Sequence, residues 1–92
     1  MRAAVVGMGY VGLPLAVEMA LAGIEVIGID VDPEKIELLN KGQSYIGDVD
    51  SETLAKIVDE SLLESTTDFS RLKEADAISI CVPTPLRKTK DP

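Results

Sequence analysis

Histidine is absent from this chain of 92 residues, cysteine occurs once and aromatic residues make up only 3% of it. Without an imidazole to act as base, the lone thiol, Cys81, is a poor candidate nucleophile. A small core residue in a buried strand is the better reading. A single cysteine also rules out an intrachain disulfide and makes a cytoplasmic setting the default. Basic residues are scarce as well: nine Lys and Arg stand against sixteen Asp and Glu, for a net charge of −7. That balance argues against general nucleic-acid binding, which needs a basic face to meet phosphate. It leaves open a nucleotide held at one spot by backbone amides. No stretch approaches the ~20 apolar residues of a membrane span. The first apolar run is broken by Gly7, Gly9 and Gly12 and has almost no basic lead-in, so it does not read as a signal peptide. No metal site is expected.

What the chain does have is aliphatic. Hydrophobic residues reach 46%, supplied mostly by Ala, Val, Ile and Leu, as in buried parallel strands and the helices that cover them. The length suits one small domain. Arg2 to Val6 reads as a strand, followed by a helix from about Tyr10 to Ala22 that Gly23 closes. Pro14 must fall in that helix's first turn, where its missing N–H costs nothing, so the helix starts near Gly9 to Val11. Ile24 to Asp30 is a second strand. Asp32-Pro33 supplies an N-cap and an N1 proline for a helix ending at Gly42. A loop, Gln43 to Asp50, precedes an amphipathic helix from Ser51 to Glu60 carrying Leu54, Ile57 and Val58 at i, i+3, i+4. Glu64 to Thr67 is a polar edge strand, Asp68 caps a short helix with Phe69 and Leu72, and Ala77 to Val82 is a final strand. Alternating strands and helices imply an α/β fold: a partial Rossmann unit with a parallel sheet of four strands in the order 3-2-1-4 and helices on both faces. The last strand leaves an apolar open edge, so self-association into a homo-oligomer is expected. The closing LRKTKDP is polar and carries no terminal element, which suggests that residues 1–92 are the N-terminal part of a longer cofactor domain.

The stretch VVGMGYVGLP places Gly7, Gly9 and Gly12 in a G-x-G-x-x-G pattern. The glycines alone are a weak signal. A strand before them, a helix after them and an acid, Asp30, ending the second strand strengthen it. Gly7 permits the tight turn, Gly9 lets backbone approach a pyrophosphate and Gly12 lets helix pack on strand. The amides around Tyr10 and Val11 then face phosphate at the positive end of a helix dipole. Asp30 would accept hydrogen bonds from ribose hydroxyls and repel a 2′-phosphate, favouring NAD over NADP; the alternative is a turn or capping aspartate. Asp32 reads as the cap of the second helix. Lys35 reads, on spacing, as a solvated lysine that could swing toward the ribose. Thr84, held between Pro83 and Pro85 past the last strand, is either a cofactor contact or a plain turn. Arg87, Lys88 and Lys90 are a solvated loop or an aid to an anionic substrate.

With these residues in hand, the whole chain resembles the N-terminus of a nucleotide-sugar 6-dehydrogenase, of the UDP-glucose/GDP-mannose dehydrogenase family. GMGYVGLPLA, GIDVDPEKI, STTD and ICVPTP match in order and spacing. The ending CVPTPLRKTKDP is most similar to the branch oxidising UDP-N-acetylglucosamine or related 2-acetamido sugars. The resemblance implies NAD contacts at Tyr10, Val11, Asp30, Lys35 and Thr84. It also implies a UDP-sugar substrate whose C6 alcohol is taken to a carboxylate in two NAD-dependent steps. The cysteine nucleophile and lysine of that chemistry belong to a later segment, and Cys81 does not match the cysteine's motif. A UDP-glucose dehydrogenase, a non-catalytic NAD-binding module and another NAD-dependent dehydrogenase are the competing readings.

Overall fold

A computed structural model describes residues 1–81; residues 82–92, and with them the candidate Thr84 and the basic loop, lie outside the described residues. Four parallel strands form one sheet in the order β3-β2-β1-β4: β1 (Arg2–Val6), β2 (Glu25–Ile29), β3 (Leu63–Thr66) and β4 (Ala77–Ile80). The expected topology is therefore the observed one. The register pairs Val5 with Gly28 on one side and with Ser79 on the other. Between the strands lie α1 (Gly12–Leu21), α2 (Pro33–Asn40), α3 (Ser51–Asp59) and a 3-10 turn at Phe69–Glu74.

The two faces of the sheet are covered unequally. Val5, Val26 and Leu63 point into a core shared with Leu13, Ala16 and Ala20 of α1, Leu39 of α2, and Leu54 and Ile57 of α3. Stepping strand by strand in one direction with right-handed crossovers puts all of these helices on one face. The opposite face holds Val6, Ile27 and Ile29, with only Leu72 of the 3-10 turn against them. The three α-helices thus cover one face and the 3-10 turn alone stands on the other, where Ile78 and Ile80 of β4 remain exposed.

Local signals set most boundaries. Asp32 accepts the Glu34 amide at 3.0 Å, and Pro33 occupies the first position of α2. Asp68 accepts the Ser70 amide in the same way at the 3-10 turn. Gly23 and Gly42 close α1 and α2 with φ of +90° and +74°, a conformation that costs a Cβ-bearing residue about 1 kcal/mol or more. The start of α1 differs from expectation. Tyr10 and Val11 stay in the turn and the helix begins at Gly12, which puts Pro14 in its third position. With either start the Tyr10 and Val11 amides precede the first helical bond, Leu13 amide to Gly9 carbonyl at 3.1 Å.

Candidate dinucleotide site

An open cavity of about 760 Å³ lies at the carboxyl ends of β1, β2 and β4. Open parallel sheets collect their ligands at this edge, where the strand order reverses; here that point falls between β1 and β4. Six of the sequence-predicted residues line the cavity: Gly7, Gly9, Tyr10, Val11, Asp30 and Lys35. The seventh, Gly12, sits behind it. A Cβ on Gly12 would come within 1.6 Å of the Gly7 carbonyl oxygen, so this glycine is where helix and loop touch. At Gly9, by contrast, an added Cβ would meet nothing within 4 Å. Its side faces the open cavity.

The loop is anchored through Met8. The Met8 side chain is fully buried and lies over Gly28, where a Cβ would fall 2.5 Å from the Met8 methyl group. The Gly7 amide donates to the Ile29 carbonyl at 2.7 Å, and the Met8 amide to Asp30 Oδ2 at 2.8 Å. The phenolic hydroxyl of Tyr45 donates to the Met8 carbonyl. Beyond this anchor the Gly9 carbonyl accepts the Leu13 amide at 3.1 Å. Tyr10 and Val11 are exposed, and among the described residues their amides have no main-chain acceptor. With Val11 at the N-cap and no side chain capping it, the cavity floor presents unpaired donors at the positive end of α1.

Asp30 makes the bonds of a turn aspartate and also lines the cavity. It is 9% exposed, and each of its oxygens accepts one backbone amide, from Met8 and from Asp32. Each can still accept from a further donor, because a carboxylate oxygen has lone pairs for more than one. Asp32 caps α2 as expected and also borders the cavity. Lys35, in the first turn of α2, is half-buried; its ammonium lies 5.9 Å from the centre of the Tyr45 ring.

Cys81 requires a correction. The strand it was expected to occupy ends at Ile80, and Cys81 is half-buried, with one side on the core and the other on the cavity. β4 is an edge strand with β1 alone beside it, so its last residues lack the cover of a central strand. Sequence reasoning missed Tyr45 and Phe69 at the site. Phe69 lines the cavity from the 3-10 turn. Burial, then the nearby carboxylates of Asp30 and Asp32, hold the Tyr45 phenol above its ordinary pKa, so it remains a donor. Tyr45 and Phe69, with Tyr10, are the only aromatics in the chain; that scarcity was the signal available for Tyr45.

Fold and cavity together define a Rossmann-type α/β unit with a glycine-loop site at its strand ends. The chain belongs to the UDP-glucose/GDP-mannose dehydrogenase family, whose NAD binding domain matches residues 1–92. Over 93 residues it is 40% identical to GDP-mannose 6-dehydrogenase of Pseudomonas putida, covering 99% of this chain and 21% of that one. Among solved structures it is similar to GDP-mannose dehydrogenase from Pseudomonas aeruginosa in a ternary complex, with a TM-score of 0.87, 39% identity, and 96% and 21% of the two chains covered. UDP-D-ManNAc dehydrogenase from Pyrococcus horikoshii superposes with a TM-score of 0.86 at 36% identity, over 94% and 21%. The chain therefore spans about a fifth of the length of these relatives. Among the described residues no helix is long and apolar enough to cross a membrane.

Proposed function

We propose that residues 1–92 bind the AMP and pyrophosphate side of NAD within a nucleotide-sugar 6-dehydrogenase. The substrate we assign is UDP-N-acetylglucosamine or a related 2-acetamido sugar, with the C6 alcohol oxidised to the carboxylate. One observation carries the cofactor reading. The unpaired Tyr10 and Val11 amides and the open side of Gly9 share one cavity with the Asp30 carboxylate. A pyrophosphate needs the first two features and a ribose diol needs the third. When bound, NAD supplies the hydride acceptor. The chain's own residues do the holding: main-chain donors meet the diphosphate, Asp30 accepts from the ribose hydroxyls, and Lys35 stands at the ribose side. The sugar assignment rests on the closing residues CVPTPLRKTKDP and is supported by the similarity to a UDP-D-ManNAc dehydrogenase.

Calorimetric titration of the chain with NAD and NADP tests the cofactor. Binding of NAD with weaker or no binding of NADP is expected, and equal affinities would refute the role of Asp30. NADH formation by the complete gene product, with UDP-N-acetylglucosamine, UDP-glucose and GDP-mannose compared, tests the sugar. Turnover confined to either of the last two would overturn that assignment. The residues 1–92 by themselves are expected to produce no NADH with any of the three.

A further inference from the structure

We propose that Tyr45, in the loop between α2 and α3, is the positioning residue of the dinucleotide site. Its hydroxyl fixes the glycine loop, and its ring face seats Lys35. The inference rests on the NAD reading above and extends it to a residue outside the glycine loop and the acid.

The helix side of the turn that carries the exposed Tyr10 and Val11 amides is held by the Leu13 amide donating to the Gly9 carbonyl at 3.1 Å. The Met8 peptide groups fix its strand side. One is the amide, held by Asp30; the other is the carbonyl, held by Tyr45. Removing either leaves Met8 pinned by its buried side chain but loosens its main chain, so the strand side of the turn shifts against the Leu13–Gly9 bond and displaces the Tyr10 and Val11 amides. The Tyr45 donor is itself fixed. Its loop is closed by the Ser44 hydroxyl donating to the Ile46 carbonyl at 2.9 Å and by the Ser51 hydroxyl accepting the Ser44 amide at 3.0 Å. Ile46 and Val49 bury the loop's underside in the core. The same ring lies under the Lys35 ammonium at 5.9 Å, within the ~6 Å reach of a cation–π contact. One side chain therefore sets two polar elements of the cavity, and substitution can separate them. Tyr45→Phe deletes the hydroxyl and keeps the ring, whereas Tyr45→Leu deletes both.

The test pairs a ligand-free readout with a binding readout. In the free chain, Tyr45→Phe should shift the NMR amide signals of Gly9, Tyr10 and Val11 and speed their hydrogen exchange. Ile57→Val, a core change in α3 that removes no hydrogen bond of the loop, should leave those signals in place. Unchanged amides in Tyr45→Phe would overturn the clamp. In calorimetry, Tyr45→Phe should weaken NAD about three- to tenfold, the effect of one lost hydrogen bond. Tyr45→Leu should weaken it further, and Ile57→Val should not change it. Parent-like NAD affinity in Tyr45→Phe would overturn the positioning role. Failure of the parent itself to bind NAD would instead sink the cofactor reading, while the amide signals still decide the clamp. Should Tyr45→Phe not fold, the parent's Tyr45 hydroxyl proton decides: a slowly exchanging signal supports the bond to Met8, and a rapidly exchanging one excludes it.

Discussion

Gly9 and Gly12 belong to one sequence pattern, yet the structure predicts opposite outcomes for the same substitution at each. At Gly12 an alanine Cβ would lie 1.6 Å from the Gly7 oxygen and 2.8 Å from its carbon. Contacts below 3.0 Å are essentially never seen, so the loop and α1 must part by roughly 1.4 Å at backbone that neither side can easily move. Overpacking of this kind costs about 1–3 kcal/mol, and the preference of a helix for alanine over glycine returns less than about 1 kcal/mol at a first-turn position. Gly12→Ala should therefore lower stability by about 2 kcal/mol in urea denaturation. Gly9→Ala meets no atom within 4 Å and no positive φ. It should leave stability within about 0.5 kcal/mol of the parent, or slightly above it. Its methyl would stand where the diphosphate must approach, so NAD affinity should fall more than about tenfold, or 1.4 kcal/mol. The assay is one urea curve and one NAD titration per variant. Parent-like NAD affinity in a folded Gly9→Ala would refute the claim that bare main chain at this position exists for the ligand. A stable Gly12→Ala would refute the packing geometry.

Further outcomes follow from the same geometry. Asp30→Ala should weaken NAD, relax discrimination against NADP, and cost roughly 2–4 kcal/mol of stability, because the Met8 and Asp32 amides lose a charged acceptor; equal NAD affinity in variant and parent would remove Asp30 from the site. The Glu64 carboxyl, hydrogen-bonded to Arg71, is held below its ordinary value of 4.5. Its contribution is thus present above that pH and lost as the pH falls through the lowered value. With Glu64 62% exposed, Glu64→Gln should cost no more than about 1 kcal/mol at pH 7, and urea curves of parent and variant should converge as the pH falls through the lowered value. The open edge of β4, with Ile78 50% and Ile80 72% exposed, should drive self-association that Ile80→Lys reduces. A strictly monomeric parent in light scattering at high concentration would count against it.

The sheet order was legible because β1, β2 and β4 are short and aliphatic and the strands are separated by helices with their own start and stop residues: Asp32-Pro33 for α2, Gly23 and Gly42 as closures. The glycine loop was legible because its neighbours in sequence, strand and helix, are also its neighbours in space. Boundaries at Tyr10 and Val11 were missed because both tolerate a helix, and only the contact of Gly12 with Gly7 fixes where α1 begins. Phe69 reaches the cavity, and Tyr45 the Met8 carbonyl and Lys35 beside it, from 59 and 35 residues beyond Tyr10 in the chain, through loop geometry that no local periodicity encodes. Cys81 was placed too deep because a run of aliphatic residues looks the same whether a strand has one neighbour or two.

The buried Met8 side chain resting on Gly28 ties the fingerprint to a spot two residues before the acid. A branched or shorter side chain at position 8 would leave a hollow there, and a side chain at position 28 would force the Met8 methyl and sulfur to re-seat. These two positions are therefore coupled. A search for such units that weighs the flat place in the second strand along with the three glycines would discard turns that merely happen to be glycine-rich.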